Sequence, residues 1–379
     1  MAGGANIRRE PVVPVVSLIH RDVVHLGMDV HKDSISVGIL NPGNERPDVE
    51  KIFNDAESVR RLIARFEEPG LVRACYEAGP TGYDLARLLK SLGVACEVIA
   101  PSMIPKAPGD KVKTDTRDCR RLARLHRAGE LVAVRIPTPL EEAVRDLART
   151  RGDMVEDLTR ARNRLTKFLL RHSIVWRGGS NWTVKHEAWL TSLRFAEPAL
   201  QTTFDHYRAV VMSRDAQLAA IEADLRVWTD REPFATAVRR LAAYRGVTTL
   251  GALTLQAEVC DWRRFGRAAS FMGFVGLVPS EYSSGGSTHR GHLTKAGNTH
   301  LRAQLVEAAW SYQHHPYVGR EIAKRQEGLA PDVVARAWGA QLRLSGRFRH
   351  LATRKNTKSV VAAAIARELA GFLWAEMVA

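Results

Sequence analysis

Apolar residues recur in alternating steps of four and three across residues 140–168, and this run constrains the fold more than any other feature of the chain. The positions are Leu140, Val144, Leu147, Arg151, Met154, Leu158, Ala161, Leu165 and Phe168, with Arg151 the one polar member. Such spacing predicts a single long helix with an apolar seam. A helix from about residue 140 to 172 would be roughly 50 Å long at 1.5 Å per residue.

A seam of this kind requires an apolar partner. A candidate second helix carries Val211, Leu218, Ile221, Leu225 and Trp228. The intervening "RGGSNW", residues 177–182, is typical of a loop. Two interpretations follow: a helical hairpin that packs within the chain, or a coiled coil through which copies of the chain associate. In either case residues 136–234 form a helical segment between two other regions.

The region before it, residues 22–135, has an α/β pattern. Short β-rich runs occupy residues 23–31, 34–40, 49–55, 71–78 and 95–101. Helical patterns occupy residues 56–68, 82–93 and 115–130. Three strands followed by alternating helices and strands predict a mixed sheet covered by helices. The preceding residues 1–21, interrupted by prolines, are expected to form a flexible tail.

The region after it, residues 235–379, is predicted to be mainly α-helical. Residues 237–259 are expected to form a helix, a glycine-containing turn and a second helix. They resemble a helix-hairpin-helix only weakly, because the tight Gly-x-Gly turn is absent. Asn298 is expected to cap a further helix, and the last helix is predicted over residues 359–377.

The charge of the chain indicates the class of partner. The net charge is +15 and the isoelectric point about 10.0, which favours DNA or RNA over a membrane surface. No apolar run approaches the roughly 20 residues that span a bilayer. The four cysteines form no Cys-x-x-Cys pair, so neither a structural zinc site nor a disulfide framework is expected. This cysteine usage agrees with a protein of the reducing cytoplasm.

Four carboxylates of the α/β region are candidates for a metal site. Asp29 lies in the first strand, Glu77 lies near the end of the fourth, and Asp115 and Asp118 share a helix face. If the first and fourth strands are neighbours, the helix can pack across the edge where Asp29 and Glu77 meet. Carboxylates without His or Cys ligands suit Mg²⁺. Taken singly, each could instead be a turn residue or part of a solvated helix face.

The stretch "GLVPSEYSSGGSTHRGHLTKAGNTHLR", residues 276–302, combines serines and glycines with His, Arg and Lys. Such composition is typical of solvated loops and also of phosphate-handling sites. A serine hydroxyl can attack a phosphodiester once it loses its proton. Nearby cations can neutralise the phosphate, and glycine permits its close approach.

These motifs together resemble a known family. "GMDVHKDSISVGIL", "YEAGPTGYDLARLL", "KTDTRDCRRLARL" and the serine stretch occur in the order found in the DEDD transposases of bacterial insertion sequences of the group numbered one hundred and ten, which includes the Piv DNA invertases. The likeness covers roughly residues 24–375. It implies a RuvC-like (RNase H-type) α/β domain, a coiled-coil segment and a mainly α C-terminal transposase domain.

The resemblance also implies roles for individual residues. Asp29, Glu77, Asp115 and Asp118 match the acidic tetrad that binds Mg²⁺, and counting the Pro-x-x-x-x-Ser-Gly pattern from Pro279 gives Ser284 as the nucleophile, with Ser283 and Tyr282 as alternatives. The residues expected to contact nucleic acid are Lys113, Arg117, His289, Arg290, His292, Lys295 and Arg302.

The expected function is a DNA transposase or recombinase that cuts and rejoins DNA through a phosphoserine. The implied partners are donor and target DNA, a non-coding bridge RNA and further copies of the chain, as a dimer that assembles into a tetramer. A cytoplasmic, nucleoid-associated location follows. The alternatives are a Piv-like invertase, an Mg²⁺-dependent nuclease in which water attacks, and a catalytically silent repressor.

Overall fold

A computed structural model of the protein describes residues 23–105, 114–284, 286–287, 289–354 and 357–379. The predicted N-terminal tail lies outside the described residues. The chain divides into two compact units, with the boundary between Ile136 and Pro137. No helix in the described parts is both long and apolar enough to cross a membrane.

The N-terminal unit contains a six-stranded mixed sheet. Its strands are β1 (Val24–Val30), β2 (Ser34–Leu40), β3 (Asp48–Phe53), β4 (Val72–Glu77), β5 (Ala95–Ile99) and β6 (Ala133–Val134). Their order across the sheet is β3-β2-β1-β4-β5-β6. The first three strands are antiparallel neighbours, β1, β4 and β5 are parallel, and β6 is antiparallel to β5. The predicted mixed sheet is therefore confirmed.

Three helices accompany the sheet: α1 (Ala56–Ile63), α2 (Asp84–Ser91) and α3 (Asp115–Arg127). The hydroxyl of Thr114 caps α3 by accepting a hydrogen bond from the Arg117 backbone N–H at 3.4 Å. Helix α3 packs on β1 and β2. Two strand glycines permit this close approach. A Cβ on Gly27 would lie 2.4 Å from the Cys119 carbonyl oxygen, and one on Gly38 would lie 2.7 Å from that oxygen.

The fit of α3 against Gly27 leads to a stability prediction. Gly27→Ala places a methyl group 2.3 Å from the Ala123 backbone nitrogen, so the helix must shift. We expect a loss of about 1–3 kcal/mol of unfolding free energy, the usual cost of overpacking. Thermal unfolding measures it. Gly70→Ala is the control, because nothing lies within 4 Å of a Cβ at Gly70. Equal melting temperatures for the two variants would show that α3 does not depend on this contact.

The C-terminal unit is mainly helical, as predicted. Its helices are α4 (Pro139–Arg171), α5 (Val184–Ser192), α6 (Pro198–Thr229), α7 (Ala235–Ala242), α8 (Thr249–Val259), α9 (Ala268–Phe274), α10 (Thr299–Ala309), α11 (Arg320–Gln326), α12 (Pro331–Ala352) and α13 (Lys358–Val378). Between α9 and α10, β7 (Pro279–Glu281) and β8 (Arg290–Leu293) form an antiparallel ribbon. The helix-turn-helix pattern of α7 and α8, the Asn298 cap and the terminal helix are confirmed.

Helices α4 and α6 pack antiparallel as a hairpin within the chain. Arg151, the polar member of the seam, donates to Glu222 of α6 at 2.7 and 2.9 Å. Further along, Arg162 donates to Asp215 at 3.0 Å. Of the two interpretations of the seam, the hairpin is what the chain forms; a coiled coil between copies stays a prediction.

The hairpin has two hydrophobic cores along its length. At its base, Val144 and Leu225 are part of the core formed by α7 to α13. At its distal end, Leu165, Phe168 and Phe204 form a separate core with α5. The base is thus continuous with the C-terminal helices, and the distal end is packed independently.

Candidate active site

Strand pairing brings two of the predicted carboxylates to one edge of the sheet. β1 and β4 are parallel neighbours with Met28 opposite Tyr76, so Asp29 and Glu77 follow at the carboxyl ends of adjacent strands. Two residues earlier, Gly27 and Cys75 both contact α3. Because side chains alternate along a strand, Asp29 and Glu77 lie on this same face.

The first turn of α3 brings Asp115 to Asp29. Nε2 of His31 lies 3.2 Å from Asp29 Oδ2 and 3.5 Å from Asp115 Oδ1. One potential ligand atom from each of these three residues lies within 4.8 Å of the others. Glu77 and Asp118 are outside this group. His31 was not among the sequence-predicted ligands, although its spacing of two from Asp29 at a strand end could have identified it.

Asp118, three residues after Asp115 in the same first turn of α3, has one oxygen without a partner in the described part of the chain. Its Oδ1 lies 3.5 Å from Nη2 of Arg121. Its Oδ2 is buried and has no hydrogen-bond partner among the described residues. A buried carboxylate oxygen is costly unless a donor or a cation satisfies it.

The electrostatics of Asp29 agree with a cation site. Burial raises the pKa of Asp29, and the charges of Asp115 and Asp118 raise it further, against the opposing effect of His31. A bound cation would relieve this repulsion. Carboxylates with one imidazole are ligands that divalent metals accept, so the residues present fit such an ion.

The serine stretch forms the β7–β8 ribbon and its tip. The Tyr282 backbone N–H donates to the His289 carbonyl at 2.9 Å. Ser284 and Ser287 exchange two backbone hydrogen bonds of 3.2 Å each, which closes the tip. Ser284 and Ser287 thus extend the pairing of β7 with β8, and Ser284 is exposed.

The serines of the ribbon differ in their hydrogen bonds. Ser283 donates to Glu281 Oε1 at 2.8 Å. Ser287 Oγ and His289 Nε2 are 3.0 Å apart. The Ser284 hydroxyl makes no hydrogen bond to any residue in the described part of the chain. Ser284 is exposed, and it pairs through its backbone with Ser287, the residue that contacts His289.

The residues predicted to contact nucleic acid are placed differently from one another. His289, His292 and Lys295 are exposed around β8, as Arg117 is on α3, and Lys113 lies outside the described residues. Arg290 is also exposed, but its Nε lies 3.5 Å from Glu281 Oε2.

Arg302 has a structural contact in addition to any role at a phosphate. It is partly buried on α10 and donates to the Val275 carbonyl at 2.9 Å. A Cβ on Gly276 would lie 2.8 Å from its Nη1. Arg302 therefore holds the backbone that leads into the ribbon.

A buried polar network anchors the chain after the ribbon. Asn298 accepts a hydrogen bond from Leu301 N–H and donates to Glu258 Oε2 at 2.6 Å. Arg149 of α4 donates to both oxygens of Glu258, at 2.6 and 2.9 Å. Burial opposes ionisation of Glu258, yet Arg149 and Asn298 hold its pKa below the ordinary value of a glutamate. The network fixes one end of the ribbon to α4 and α8.

Two family profiles match this chain. One, described as "Transposase" and specific to the DEDD type of the IS110 group, matches residues 26–174. The other, described as "Transposase IS116/IS110/IS902 family", matches residues 238–324. The first range contains the four carboxylates, and the second contains the serine ribbon.

Individual proteins are similar over most of the chain. "Putative transposase y4qE" of Sinorhizobium fredii (strain NBRC 101917 / NGR234) is 40% identical over 356 residues, which cover 92% of this chain and 87% of that protein. "Transposase for insertion sequence element IS1533" of Leptospira borgpetersenii is 36% identical over 338 residues, or 88% of this chain and 97% of that protein. "Transposase for insertion sequence element IS1111A" of Coxiella burnetii is 23% identical over 231 residues, 60% of this chain and 62% of that protein.

Proposed function

This chain belongs to the IS110 family of insertion-sequence transposases, and from that premise we propose that it cuts and rejoins DNA through a serine ester at a composite site. The site combines a divalent cation held by Asp29, Asp115 and Asp118, with Glu77 beside them, and the hydroxyl of Ser284. The observation that carries the proposal is the buried Asp118 Oδ2, which has no hydrogen-bond partner among the described residues and belongs to the same first turn of α3 as Asp115, a neighbour of Asp29.

The metal proposed here is Mg²⁺, since most of the donors are carboxylate oxygens. When bound, such an ion neutralises phosphate charge and stabilises the leaving oxygen. The chain itself orients the donors: α3 positions Asp115 and Asp118, and β1 positions Asp29. When the ion binds, His31 would either move away from the carboxylates of Asp29 and Asp115 or act as a further ligand.

The proposed covalent step balances without an external energy source. The Ser284 oxygen attacks phosphorus as its proton is lost, the phosphodiester bond to one sugar oxygen breaks, and that oxygen takes up a proton. The phosphoserine ester keeps the bond energy, so the reverse attack by a sugar hydroxyl rejoins the strand. We propose His289, whose Nε2 lies 3.0 Å from Ser287 Oγ, as a phosphate contact that can also relay protons.

We propose donor and target DNA as substrates, a structured non-coding RNA as guide, and a dimer that assembles into a tetramer. The order of the six strands, with α3 across β1, supports a RuvC-like assignment for the N-terminal unit. The exposed cations of the ribbon support phosphate contacts by His292 and Lys295.

Metal dependence tests this proposal. Asp29→Asn and Asp118→Asn should each lower Mg²⁺-dependent strand cleavage by on the order of 10³-fold, because each removes a charge that neutralises the ion, while DNA binding is retained. Cleavage of a labelled substrate and a gel-shift assay measure the two properties. Asp33→Asn is the matched control, an exposed aspartate in the adjacent turn. Full cleavage by Asp118→Asn would remove Asp118 from the site.

A further inference from the structure

Charge is strongly segregated along the α4–α6 hairpin. Residues 160–214, which form its distal end, contain ten Lys or Arg and three Asp or Glu, a net charge of +7. The base, residues 139–159 and 215–229, contains four Arg and nine Asp or Glu, a net charge of −5. A helical surface that only needs solvation usually mixes the two signs. The hairpin instead concentrates almost half of the chain's net charge of +15 at one end.

Three cations on α4 form a stripe within this distal end. Arg164, Lys167 and Arg171 are spaced by three and four residues, so they lie on one face of the helix. All three are exposed, whereas the neighbouring residues Leu165 and Phe168 are buried in the core shared with α5. We call Arg164, Lys167 and Arg171 the distal stripe.

The distal stripe has no acidic partner in the described part of the chain. Arg160, one turn earlier, is paired with Glu156 at 2.7 Å and Asp157 at 3.3 Å. With the residues that the structure describes, no member of the stripe forms an ion pair, although Arg171 lies over the Phe168 ring at 5.8 Å. Unpaired cations this close repel one another, and a polyanion would relieve that repulsion.

The distal end is built rigidly enough to present the stripe. Behind α4, Phe168 packs against Phe195 and Tyr207, with ring centroids 5.5 and 5.6 Å apart. The loop at the end of the hairpin is held by Trp182, whose backbone N–H donates to Nδ1 of His186 at 3.1 Å. A fixed array loses less conformational entropy on binding than cations on a mobile loop.

The spacing of the stripe fits a nucleic-acid strand. From Arg164 to Arg171 the helix rises about 10.5 Å at 1.5 Å per residue. One strand of a duplex carries a phosphate about every 3.4 Å along its axis, so about three phosphates lie within that length.

We propose that the distal stripe is a second nucleic-acid contact, separate from the reacting groups, which binds the phosphate backbone of a duplex. It recognises backbone charge, which DNA and RNA share. The inference goes beyond the proposed strand cleavage, since neither a metal nor Ser284 takes part in it.

The test compares the salt dependence of binding for two triple variants of the full chain. One is Arg164→Gln/Lys167→Gln/Arg171→Gln. The control, Arg226→Gln/Arg343→Gln/Arg347→Gln, removes the same charge from arginines that are paired with Glu222 or Glu368. Both are made in Ser284→Ala protein and measured in EDTA, so that neither the proposed serine nor a metal-activated water can cut the duplex. Titrations from about 50 to 200 mM salt use duplex DNA and duplex RNA of one sequence.

The stripe variant should reduce the log–log salt slope by about 2–3, close to 0.9 per lost phosphate contact, and weaken binding at least about tenfold at low salt. The control should change the slope by much less. If only one of the two duplexes, DNA or RNA, shows this loss of affinity and slope, that nucleic acid is the one whose backbone the distal stripe binds. An unchanged slope with both duplexes overturns the proposal, as does an equal loss in the control. A change in oligomeric state by light scattering, without a change in slope, would assign the stripe to contacts between copies and also overturn it.

Discussion

Ser284→Ala is expected to abolish the covalent protein–DNA intermediate and to lower strand cleavage by on the order of 10³-fold or more, since loss of a nucleophile removes the reaction path that depends on it. The exposed position of Ser284 at the ribbon tip supports this choice. A nicked suicide DNA should trap the intermediate in the unsubstituted protein. Peptide mapping of the trapped species should place a phosphoserine at residue 284.

The neighbouring serines provide matched controls. The Ser283 hydroxyl is hydrogen-bonded to Glu281, and the Ser287 hydroxyl is within hydrogen-bond distance of His289. Each of these serines can therefore have a structural role in the ribbon. Ser283→Ala and Ser287→Ala should keep the covalent intermediate, with cleavage lowered by no more than about tenfold, the scale of one lost hydrogen bond. An adduct mapped to Ser283, Ser287 or Tyr282 would contradict the assignment of Ser284. Cleavage by Ser284→Ala at the normal rate, with no adduct in either protein, would indicate a metal-dependent nuclease in which water attacks.

The regular elements could be predicted because their periodicity is local. The β-rich runs of β1 and β2, which are buried on both faces, and the four-three spacing of α4 are each visible over consecutive residues of the sequence. Helix α5 was not predicted; it has only nine residues and begins just after the segment 177–182 that was interpreted as a loop. The β7–β8 ribbon was also missed. Its serines and glycines have low strand propensity, and cross-strand hydrogen bonds such as Tyr282 to His289 hold it together.

The candidate metal site could be predicted only in part, because some of its features are local in the sequence and others depend on tertiary contacts. Asp29 and Glu77 were identifiable as polar residues in or at the end of apolar strands. Their common edge depended on which strands are neighbours, and pairing of β1 with β4 is non-local. The contact of His31 with Asp115 and the buried oxygen of Asp118 arise from the close seating of α3 on Gly27. No short sequence pattern specifies such a tertiary fit.

Assembly of the active site between copies is the second prediction with a large effect. The carboxylates and Ser284 belong to different compact units of the chain. Helix α4 alone, at 33 residues, is about 50 Å long. That length does not decide whether the site forms within one chain or between copies, because α6 returns along α4 and Leu225 shares a core with Val144. The expectation of assembly in trans therefore rests on the proposed self-association and on the division of the site between two units.

Mixing two inactive variants tests this expectation. If one copy supplies the carboxylates and another supplies the serine, Asp29→Asn mixed with Ser284→Ala should recover cleavage. In a mixed dimer, one site combines intact carboxylates with an intact serine and the other site is doubly defective. With equal amounts and random pairing of a two-fold dimer, about a quarter of all sites would be intact. The rate of cleavage and the yield of trapped adduct should both reach about that fraction.

The control mixture is Asp29→Asn with Asp118→Asn. Both substitutions lie in the same unit, so no pairing of these chains restores a full set of carboxylates, and the mixture should stay inactive. Differently tagged chains, recovered together on one DNA, would establish that mixed assemblies form. If they do form and the Asp29→Asn and Ser284→Ala mixture remains inactive, the carboxylates and the serine of a site come from one chain. The self-association proposed for this protein would then have to act at a step other than building the active site.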